Sequence, residues 1–311
     1  METLIRPKEG KIWAIAGGKG GTGKSFIVSC IGTYLARRGN KVVLVDFDYG
    51  GANLHSFLGV GRPKKSLTQF LESGAPLTEL LVRTNIENMT LITGDIHSIS
   101  SDTIKFSQKL KLFRQIMKIN SQYIIIDLGA GSHNNTIDTF LIADKMIAVL
   151  VPELIAIENV YHFIKNALYR KIKMALRTYG FKEIIQHIWQ RREKYGIKNL
   201  KELIDYLRDS FTYIGSILDK ELEAFEIYLL LNMVRSQQDL TIGYSIKSVL
   251  NKYLGVKSHF AGYIEYDDSI WRSIRETKPF MLYYSLSRCA KEIEAFTENL
   301  IQGREITLPR G

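Results

Sequence analysis

The chain has 311 residues, which suits two domains of about 150 residues or one larger α/β domain with an insertion. Hydrophobic residues make up 45% and charged residues 24% of the chain, as in ordinary globular proteins, so a disordered, collagen-like or low-complexity chain is excluded. The formal net charge of +10 indicates an acidic partner, such as nucleic acid, an anionic lipid surface or a nucleotide, without choosing among them.

The cysteine content and the apolar stretches limit the cellular setting. Cys30 and Cys289 lie far apart, which argues against a disulfide framework, a zinc ribbon and an iron–sulfur site and fits a reducing cytoplasm. Residues 1–10 contain no apolar run of signal-peptide length. The longest apolar stretch, residues 146–157, contains Pro152 and Glu153 and is shorter than the ~18 residues that span a bilayer. We therefore predict a cytoplasmic protein that does not cross a membrane.

Short β-branched runs alternate with longer helical patterns, which predicts βαβ units around a mostly parallel, twisted sheet flanked by helices. The predicted strands cover residues 11–16, 41–46, 89–93, 123–127, 146–151, 227–232 and 259–264. The predicted helices cover residues 25–38, 103–119, 237–253, 268–276 and 286–302, with three more at 162–180, 181–196 and 199–211. Ligands bind at the carboxyl ends of the strands in such sheets.

A glycine-rich loop follows the first predicted strand and leads into a helix, as the pattern G-x-x-x-x-G-K-[ST] requires. It consists of Gly18, Lys19, Gly20, Gly21, Thr22, Gly23, Lys24 and Ser25. The glycines let backbone N–H groups surround phosphates, Lys24 reaches the β- and γ-phosphates, and Ser25 can bind Mg²⁺. The alternative is a glycine-rich turn that only starts a helix, and this alternative does not explain both lysines. We predict that the loop, together with Phe26, binds ATP or ADP.

The second lysine of the loop, Lys19, gives the sequence K-G-G-x-G-K-S, which resembles the deviant Walker A loop of the MinD/ParA family of bacterial ATPases. In that family the extra lysine reaches the phosphates bound by a partner subunit. The resemblance therefore implies an α/β P-loop ATPase that forms an ATP-dependent homodimer, with Lys19 and Lys24 as catalytic residues. A solvated loop lysine is the alternative.

Two acidic residues, Asp46 and Asp48, follow the second predicted strand in a segment that resembles switch I of the family. The resemblance implies that Asp48 orients the attacking water and that Asp46 lies near the metal and its waters. An Asp pair that caps the next turn is the alternative. The step Gly51-Ala52-Asn53-Leu54 is closer to the FlhG-like branch, also called FleN or YlxH, whose members regulate flagellar number.

Further segments after these also match the family, and the first two contain Asp127 and Asn232. Asp127 ends an apolar strand before Gly129 and Gly131, as in the Walker B and switch II segment, so the resemblance implies Mg²⁺ binding by Ser25, Asp46 and Asp127. Asn232 resembles the asparagine that contacts adenine.

Asp267 lies in a segment that is similar to the base-side loop. Capping of strand ends is the alternative role for both Asn232 and Asp267. The Pro152-Glu153 pair also matches the FlhG-like branch, whereas Leu154-Ile155-Ala156 departs from the Pro-Thr-Ser of the family.

The segment 165–220 is basic, with thirteen Lys and Arg against six Asp and Glu, a net charge of +7. We divide the chain into residues 1–164, the first part of the ATPase domain, residues 165–225, a basic helical insertion, and residues 226–311, the second part of the same domain. The insertion offers a surface for nucleic acid, although a solvated helical face is the alternative. The helix at 286–302 carries glutamates, so its apolar residues are assigned to the core rather than to a membrane anchor.

The predicted function is a Mg²⁺-dependent ATPase that hydrolyses ATP slowly and switches between monomer and dimer. It would regulate the position or number of an assembly such as the flagellum, and its partner would be a flagellar or polar protein. Peripheral contact with the inner membrane or the cell pole is a further option, which no terminal amphipathic helix supports. The alternative is a ParA-like protein that binds DNA nonspecifically when loaded with ATP and acts in DNA segregation.

Overall fold

The computed structural model describes residues 10–48, 51–94, 104, 106–181 and 183–306. Its strands are β1 (Lys11–Ala16), β2 (Val42–Phe47), β3 (Val82–Arg83), β4 (Met89–Ile92), β5 (Tyr123–Leu128), β6 (Lys145–Leu150), β7 (Glu226–Val234) and β8 (Lys257–Glu265). They form one eight-stranded sheet in the order β3-β4-β2-β5-β1-β6-β7-β8. All neighbours are parallel except β3, which runs antiparallel to β4. The predicted α/β fold with a mostly parallel sheet is confirmed.

Helices cover both faces of this sheet. They are α1 (Lys24–Arg37), α2 (Leu54–Phe57), α3 (Leu67–Ser73), α4 (Phe106–Ile116), α5 (Asn134–Phe140), α6 (Leu154–Thr178), α7 (Ile184–Gln190), α8 (Leu200–Ser210), α9 (Thr212–Glu223), α10 (Gln237–Leu254), α11 (Asp268–Arg275), α12 (Phe280–Tyr283) and α13 (Arg288–Gln302). A short 3-10 helix spans Leu77–Glu79. The predicted helix at 103–119 corresponds to α4, with residues 103 and 105 outside the described ranges.

The central strands are apolar throughout because both of their faces are covered. All six residues of β5 are buried. Along β1, Ile12 and Ala14 pack into the cluster that contains α3 to α10, whereas Trp13 and Ile15 pack into the cluster that contains α1 and α13. This alternation of sides is the period of two expected of a strand. The sheet is therefore the middle layer of three.

The basic insertion is continuous with the rest of the molecule. The predicted boundary at residue 165 falls inside α6, which runs unbroken for 25 residues. Buried residues of α6 to α9 belong to the same apolar cluster as the strands of the sheet. The prediction of one long helix at 181–196 is wrong, because α7 ends at Gln190 and turns follow to Gly196, whose φ is +67°. The helix α9 was not predicted, since no glycine or proline separates it from α8.

The apolar residues of α13 lie in the core, as predicted. Ile293, Phe296 and Leu300 are each at most 1% exposed and pack against the sheet. Within the described ranges, no helix combines the length and the apolar character that a membrane span requires.

A cluster of polar side chains links the amino ends of β6, β7 and β8, at the opposite end of the strands from the glycine-rich loop. The Glu226 carboxylate is 2.6 Å from Lys257 Nζ and 2.6 Å from His259 Nε2, and it accepts a hydrogen bond of 2.9 Å from the Tyr228 hydroxyl. Lys145 Nζ lies 2.5 Å from the same hydroxyl oxygen. Burial raises the pKa of Glu226, but the hydrogen bonds from Lys257, His259 and Tyr228 outweigh it and lower the pKa from 4.5 to about 2.

We expect the substitution Glu226→Gln to reduce stability in a pH-dependent way. Because the pKa of Glu226 is lower in the folded chain than its ordinary value of 4.5, the ionised carboxylate stabilises the fold above about pH 4.5 and loses this effect as the pH falls through about 2. The variant should be less stable by about 1–2 kcal/mol at pH 7, after allowance for solvent screening. Urea unfolding at pH 7, 4 and 3 measures the difference, which should shrink towards low pH. Glu305→Gln, which removes the more exposed pair with Lys247, is the control, and a loss independent of pH would contradict the electrostatic origin.

Candidate nucleotide site

The glycine-rich loop connects β1 to α1 at the carboxyl edge of the sheet. Gly21 and Gly23 have φ values of +79° and +87°, a conformation that side chains disfavour. Gly23 precedes α1 without a side-chain cap, so the first N–H groups of this helix remain available to an anion. The loop therefore has the backbone conformation that phosphate binding requires.

Lys24, the first residue of α1, carries its ammonium group into this loop. The residue is 7% exposed, and its Nζ donates a hydrogen bond of 3.3 Å to the Lys19 carbonyl oxygen. Burial lowers the pKa of Lys24, and the negative charges of Asp127 and Asp48 partly offset this effect. The loop thus surrounds a cation that is largely removed from water.

Asp127 faces this cation from β5. It is 1% exposed, and neither of its carboxylate oxygens has a partner at normal hydrogen-bond distance among the described residues, although the Ser25 side chain lies near enough to lower its pKa. Burial, followed by the charge of Asp46, raises the pKa of Asp127 to about 8, although the neighbouring Ser25 and Lys24 act in the opposite direction. A buried carboxylate without a partner is costly, and a divalent cation would relieve this cost.

The donor set at this point fits Mg²⁺. Asp46 and Asp127 are register partners on β2 and β5, and Ser25 lies close enough to Asp127 to affect its pKa. In the described part of the chain no group of three His, Cys, Asp or Glu side chains forms a metal site by itself. Mg²⁺ commonly takes one or two carboxylates and completes its shell with water and substrate phosphates, so these residues could hold the ion, and their assignment as its ligands stays a prediction.

Asp46 also has a structural role that the sequence interpretation gave only as an alternative. Its Oδ1 accepts a hydrogen bond from the Asp48 N–H and its Oδ2 accepts one from the Leu54 N–H, each at 3.1 Å. Burial raises the pKa of Asp46 to about 6, and these backbone hydrogen bonds limit the rise. Asp46 therefore holds the two ends of the predicted switch I segment together. Tyr49 and Gly50 of this segment lie outside the described residues.

Asp48, in the predicted switch I segment, lies beside the predicted switch II segment. A Cβ atom at Gly129 would be 3.1 Å from Asp48 Oδ1, so the chain after β5 passes close to this carboxylate. The charge of Asp48 acts on both Lys24 and Asp127. Its predicted role in orienting water stays a prediction.

Lys19 is held by a residue that the sequence did not identify as its partner. Lys19 Nζ is 2.5 Å from Glu153 Oε2, and the two side chains are 33% and 59% exposed. Glu153 immediately precedes α6, and α6 approaches the loop so closely that a Cβ atom at Gly18 would be 2.2 Å from the Asn159 carbonyl carbon. The Pro152-Glu153 motif was a signal for this region, but the ion pair depends on the packing of α6.

The three remaining predicted nucleotide contacts occupy different environments. Asn232 is 3% exposed, and its Nδ2 donates a hydrogen bond of 2.9 Å to the Thr22 carbonyl oxygen, while its Oδ1 has no hydrogen-bond partner. Asp267 accepts a hydrogen bond of 2.7 Å from the Ser269 N–H and caps the amino end of helix α11, and its predicted contact with the base stays a prediction. The Phe26 side chain is buried with its ring 5.2 Å from that of Phe280, so only its backbone is available to a ligand.

The loop after β1, its buried lysine and the carboxylates after β2 and β5 define an α/β domain of the P-loop class. The model of the CobQ/CobB/MinD/ParA nucleotide binding domain matches residues 13–280. The chain belongs to this family, as the resemblance of its loop predicted. The match concerns the family as a whole, and the flagellar branch stays a prediction.

The individual relatives have low sequence identity to this chain, and each alignment covers only part of the two proteins. Septum site-determining protein MinD of Buchnera aphidicola is 27% identical over 150 residues, which are 48% of this chain and 56% of that protein. Sporulation initiation inhibitor protein Soj of Bacillus subtilis is 28% identical over 208 residues, which are 64% of this chain and 81% of that protein. The chain thus spans about half the length of the first relative.

Solved structures share the fold. MinD of Pyrococcus horikoshii complexed with Mg-ADP has a TM-score of 0.60 at 21% identity, covering 94% of this chain and 96% of that chain. A putative plasmid partition protein of Borrelia burgdorferi bound to AMPPNP has a TM-score of 0.59 at 20% identity, covering 95% of this chain and all of that chain. These similarities establish the eight-stranded MinD-like architecture.

The two buried aspartates should respond differently to amide substitution. Asp127→Asn replaces a buried carboxyl group whose ionisation is already disfavoured by a pKa of about 8, so the nucleotide-free protein should be unchanged or more stable by about 1 kcal/mol. Asp46→Asn weakens two backbone hydrogen bonds and should reduce stability by about 1–2 kcal/mol. In addition, Asp127→Asn should lose the extra thermal stabilisation that Mg²⁺ gives over ATP alone. Thermal unfolding with and without ATP and Mg²⁺ measures both effects, and equal destabilisation by the two substitutions would contradict this division of roles.

Proposed function

We propose that this protein is a Mg²⁺-dependent ATPase of the MinD/ParA type, which dimerises when it binds ATP and returns to the monomer after slow hydrolysis. The observation that carries the proposal is the burial of the Lys24 ammonium and the Asp127 carboxylate together at the glycine-rich loop, where their charges interact. A polyphosphate with a divalent cation would satisfy both groups. Family membership and the Mg-ADP and AMPPNP bound by two similar structures support this ligand class.

The residues of the site divide the work of hydrolysis. The N–H groups of the loop and the Lys24 ammonium would hold the β- and γ-phosphates, while Asp48 orients a water molecule for attack in line with the leaving oxygen. Ser25 and Asp127, the latter through a water, would hold Mg²⁺, with Asp46 near the metal and its waters, and the bound ion would neutralise phosphate charge. The proposed base contacts are Asn232 and Asp267.

Lys19 links the chemistry to dimer formation. In the single chain its ammonium is paired with Glu153, and this pair is exposed enough that breaking it costs only about 1 kcal/mol or less. Lys19 could therefore leave Glu153 and reach the phosphates of a partner subunit, where it stabilises the charge of the transition state. Turnover would be slow until the second subunit completes the site.

The cellular target is the finer part of the proposal. The segment Gly51-Ala52-Asn53-Leu54 and the Pro152-Glu153 pair favour a cytoplasmic regulator of the position or number of an assembly such as the flagellum. Its partner would be a protein of that assembly that recognises the ATP-bound dimer. The complex of MinC with MinD from Aquifex aeolicus, whose MinD fold is similar, is an example of such a partnership in the family.

The solution mass of the Asp48→Ala protein tests the switch. With Asp48 removed, ATP should persist, so the protein should be a monomer with ADP and a dimer with ATP and Mg²⁺. Adding Lys19→Ala should abolish the dimer but keep ATP binding, because Lys24 and the loop remain. Lys41→Ala, at an exposed lysine of the opposite sheet edge, is the matched control. A mass that is indifferent to nucleotide would refute the switch.

A second candidate function is ATP-dependent binding to DNA. Arg191, Lys194 and Lys198 are exposed in the segment between α7 and α8, and no ion pair reaches them from the described residues. By contrast, Lys171 pairs with Glu221 and Arg208 pairs with Asp219. The three exposed cations form a local excess of positive charge that suits a phosphate backbone.

Charge removal distinguishes this candidate. Changing Arg191, Lys194 and Lys198 to Gln should weaken DNA binding of the ATP-bound protein about tenfold or more and reduce its dependence on salt concentration, because fewer counterions are released. Fluorescence anisotropy with a random-sequence duplex at several salt concentrations measures both quantities. The control changes Lys171 and Arg208 to Gln, which removes cations already neutralised within the protein. Unchanged DNA binding by the triple variant would mean that these three residues form a solvated face that takes no part in DNA binding.

A further inference from the structure

Two large aliphatic side chains begin α6 in contact with solvent. Leu154 is 72% exposed and Ile155 is 65% exposed, although aliphatic side chains of this size are usually buried. The next residue, Ala156, is fully buried. The first turn of α6 therefore directs Leu154 and Ile155 away from the core.

This pair lies beside the loop that carries Lys19. Glu153, the residue before Leu154, binds Lys19 at 2.5 Å. One turn further along α6, the backbone of Asn159 and Val160 lies against Gly18, where a Cβ atom would approach within 2.2 Å and 2.4 Å. The first turns of α6 and the glycine-rich loop thus lie side by side, so that Leu154 and Ile155 are near any partner that contacts Lys19.

The aliphatic pair differs chemically from the ion pair beside it. The ion pair of Lys19 with Glu153 is polar and exposed, whereas Leu154 and Ile155 gain free energy only when another apolar surface excludes water from them. A twofold dimer is self-complementary, so each subunit brings the same two aliphatic residues to the interface. A second copy of this chain therefore supplies both the acceptor for Lys19 and an apolar surface for the aliphatic pair.

We propose that Leu154 and Ile155 form an apolar contact of the ATP-dependent homodimer and set its affinity. This inference rests on the proposed function, because it assumes that Lys19 faces the partner subunit. The apolar contact would make the dimer less sensitive to salt than an interface held by Lys19 alone.

The test compares dimer dissociation constants in the Asp48→Ala protein, with ATP and Mg²⁺, by sedimentation equilibrium. The change of Leu154 to Ser and Ile155 to Thr should raise the dissociation constant at least tenfold, while the affinity of the monomer for a fluorescent ATP analogue changes less than twofold. The matched control changes Leu282 to Thr and Leu286 to Ser, two leucines that are 39% and 88% exposed before α13. The control should change neither constant.

The outcomes separate this inference from the function on which it rests. If the Asp48→Ala protein dimerises and the double variant has the same dissociation constant, the apolar contact is refuted and the switch stands. If the Asp48→Ala protein stays monomeric with ATP, the switch fails and the contact fails with it. A dissociation constant that rises equally in the control would mean a general effect of surface change and would also refute the contact.

A labelling experiment tests the same contact without relying on affinity. Cys30 and Cys289 are buried, so the variant Leu154→Cys offers one exposed thiol for a polarity-sensitive dye. We expect the emission of this dye to shift to the blue with ATP and Mg²⁺ but not with ADP, whereas the same dye at Leu286→Cys should not respond. An unchanged emission at position 154 in a protein that dimerises would overturn the proposal.

Discussion

The burial of the Lys24 ammonium against the carboxylates of Asp127 and Asp48 is the constraint on which the whole site depends. Desolvation lowers the pKa of Lys24 and raises that of Asp127, so neither charge is fully compensated by the other. Among the described residues, neither Asp127 oxygen has a partner at normal hydrogen-bond distance, and buried charges are stable only when they are paired and hydrogen-bonded. The site is therefore built for a ligand that carries anionic oxygens to Lys24 and a divalent cation to Asp127.

The order of the strands brings these groups together. β5 lies between β2 and β1, so Asp46 and Asp127 stand side by side in register while the loop after β1 starts on the other side of β5. Asp46 uses both oxygens to accept hydrogen bonds from backbone N–H groups. Among the described residues, no backbone N–H group donates a hydrogen bond to Asp127. Two carboxylates at the same edge thus differ in role because one shapes the following turn and the other stays open to a ligand.

Local patterns predicted much of this arrangement, and long-range packing determined the rest. The apolar runs gave seven of the eight strands, and the glycine and lysine spacing located the loop, because both signals are contained in short segments. The pairing of Lys19 with Glu153 depends on contact between residues distant in sequence, whereas the short β3 and the break between α8 and α9 carry little local signal. The double role of Asp46 could only be stated as an alternative, since it depends on where the backbone returns at Leu54.

The helix α6 connects the loop to the basic insertion. Its first residues lie at Lys19 and Gly18, and its 25 residues extend about 37 Å at 1.5 Å per residue to the start of the α7–α9 region. The buried Asp138 of α5 binds Lys109 of α4 and Arg170 of α6, and α5 follows the Gly129–Gly131 segment. Because breaking one partner of such a buried ionic group is costly, a displacement of α5 must carry α6 with it or disrupt this triad. The Gly129–Gly131 segment, which would sense the γ-phosphate, is therefore mechanically joined through α5 and α6 to the basic insertion, which carries most of the net positive charge.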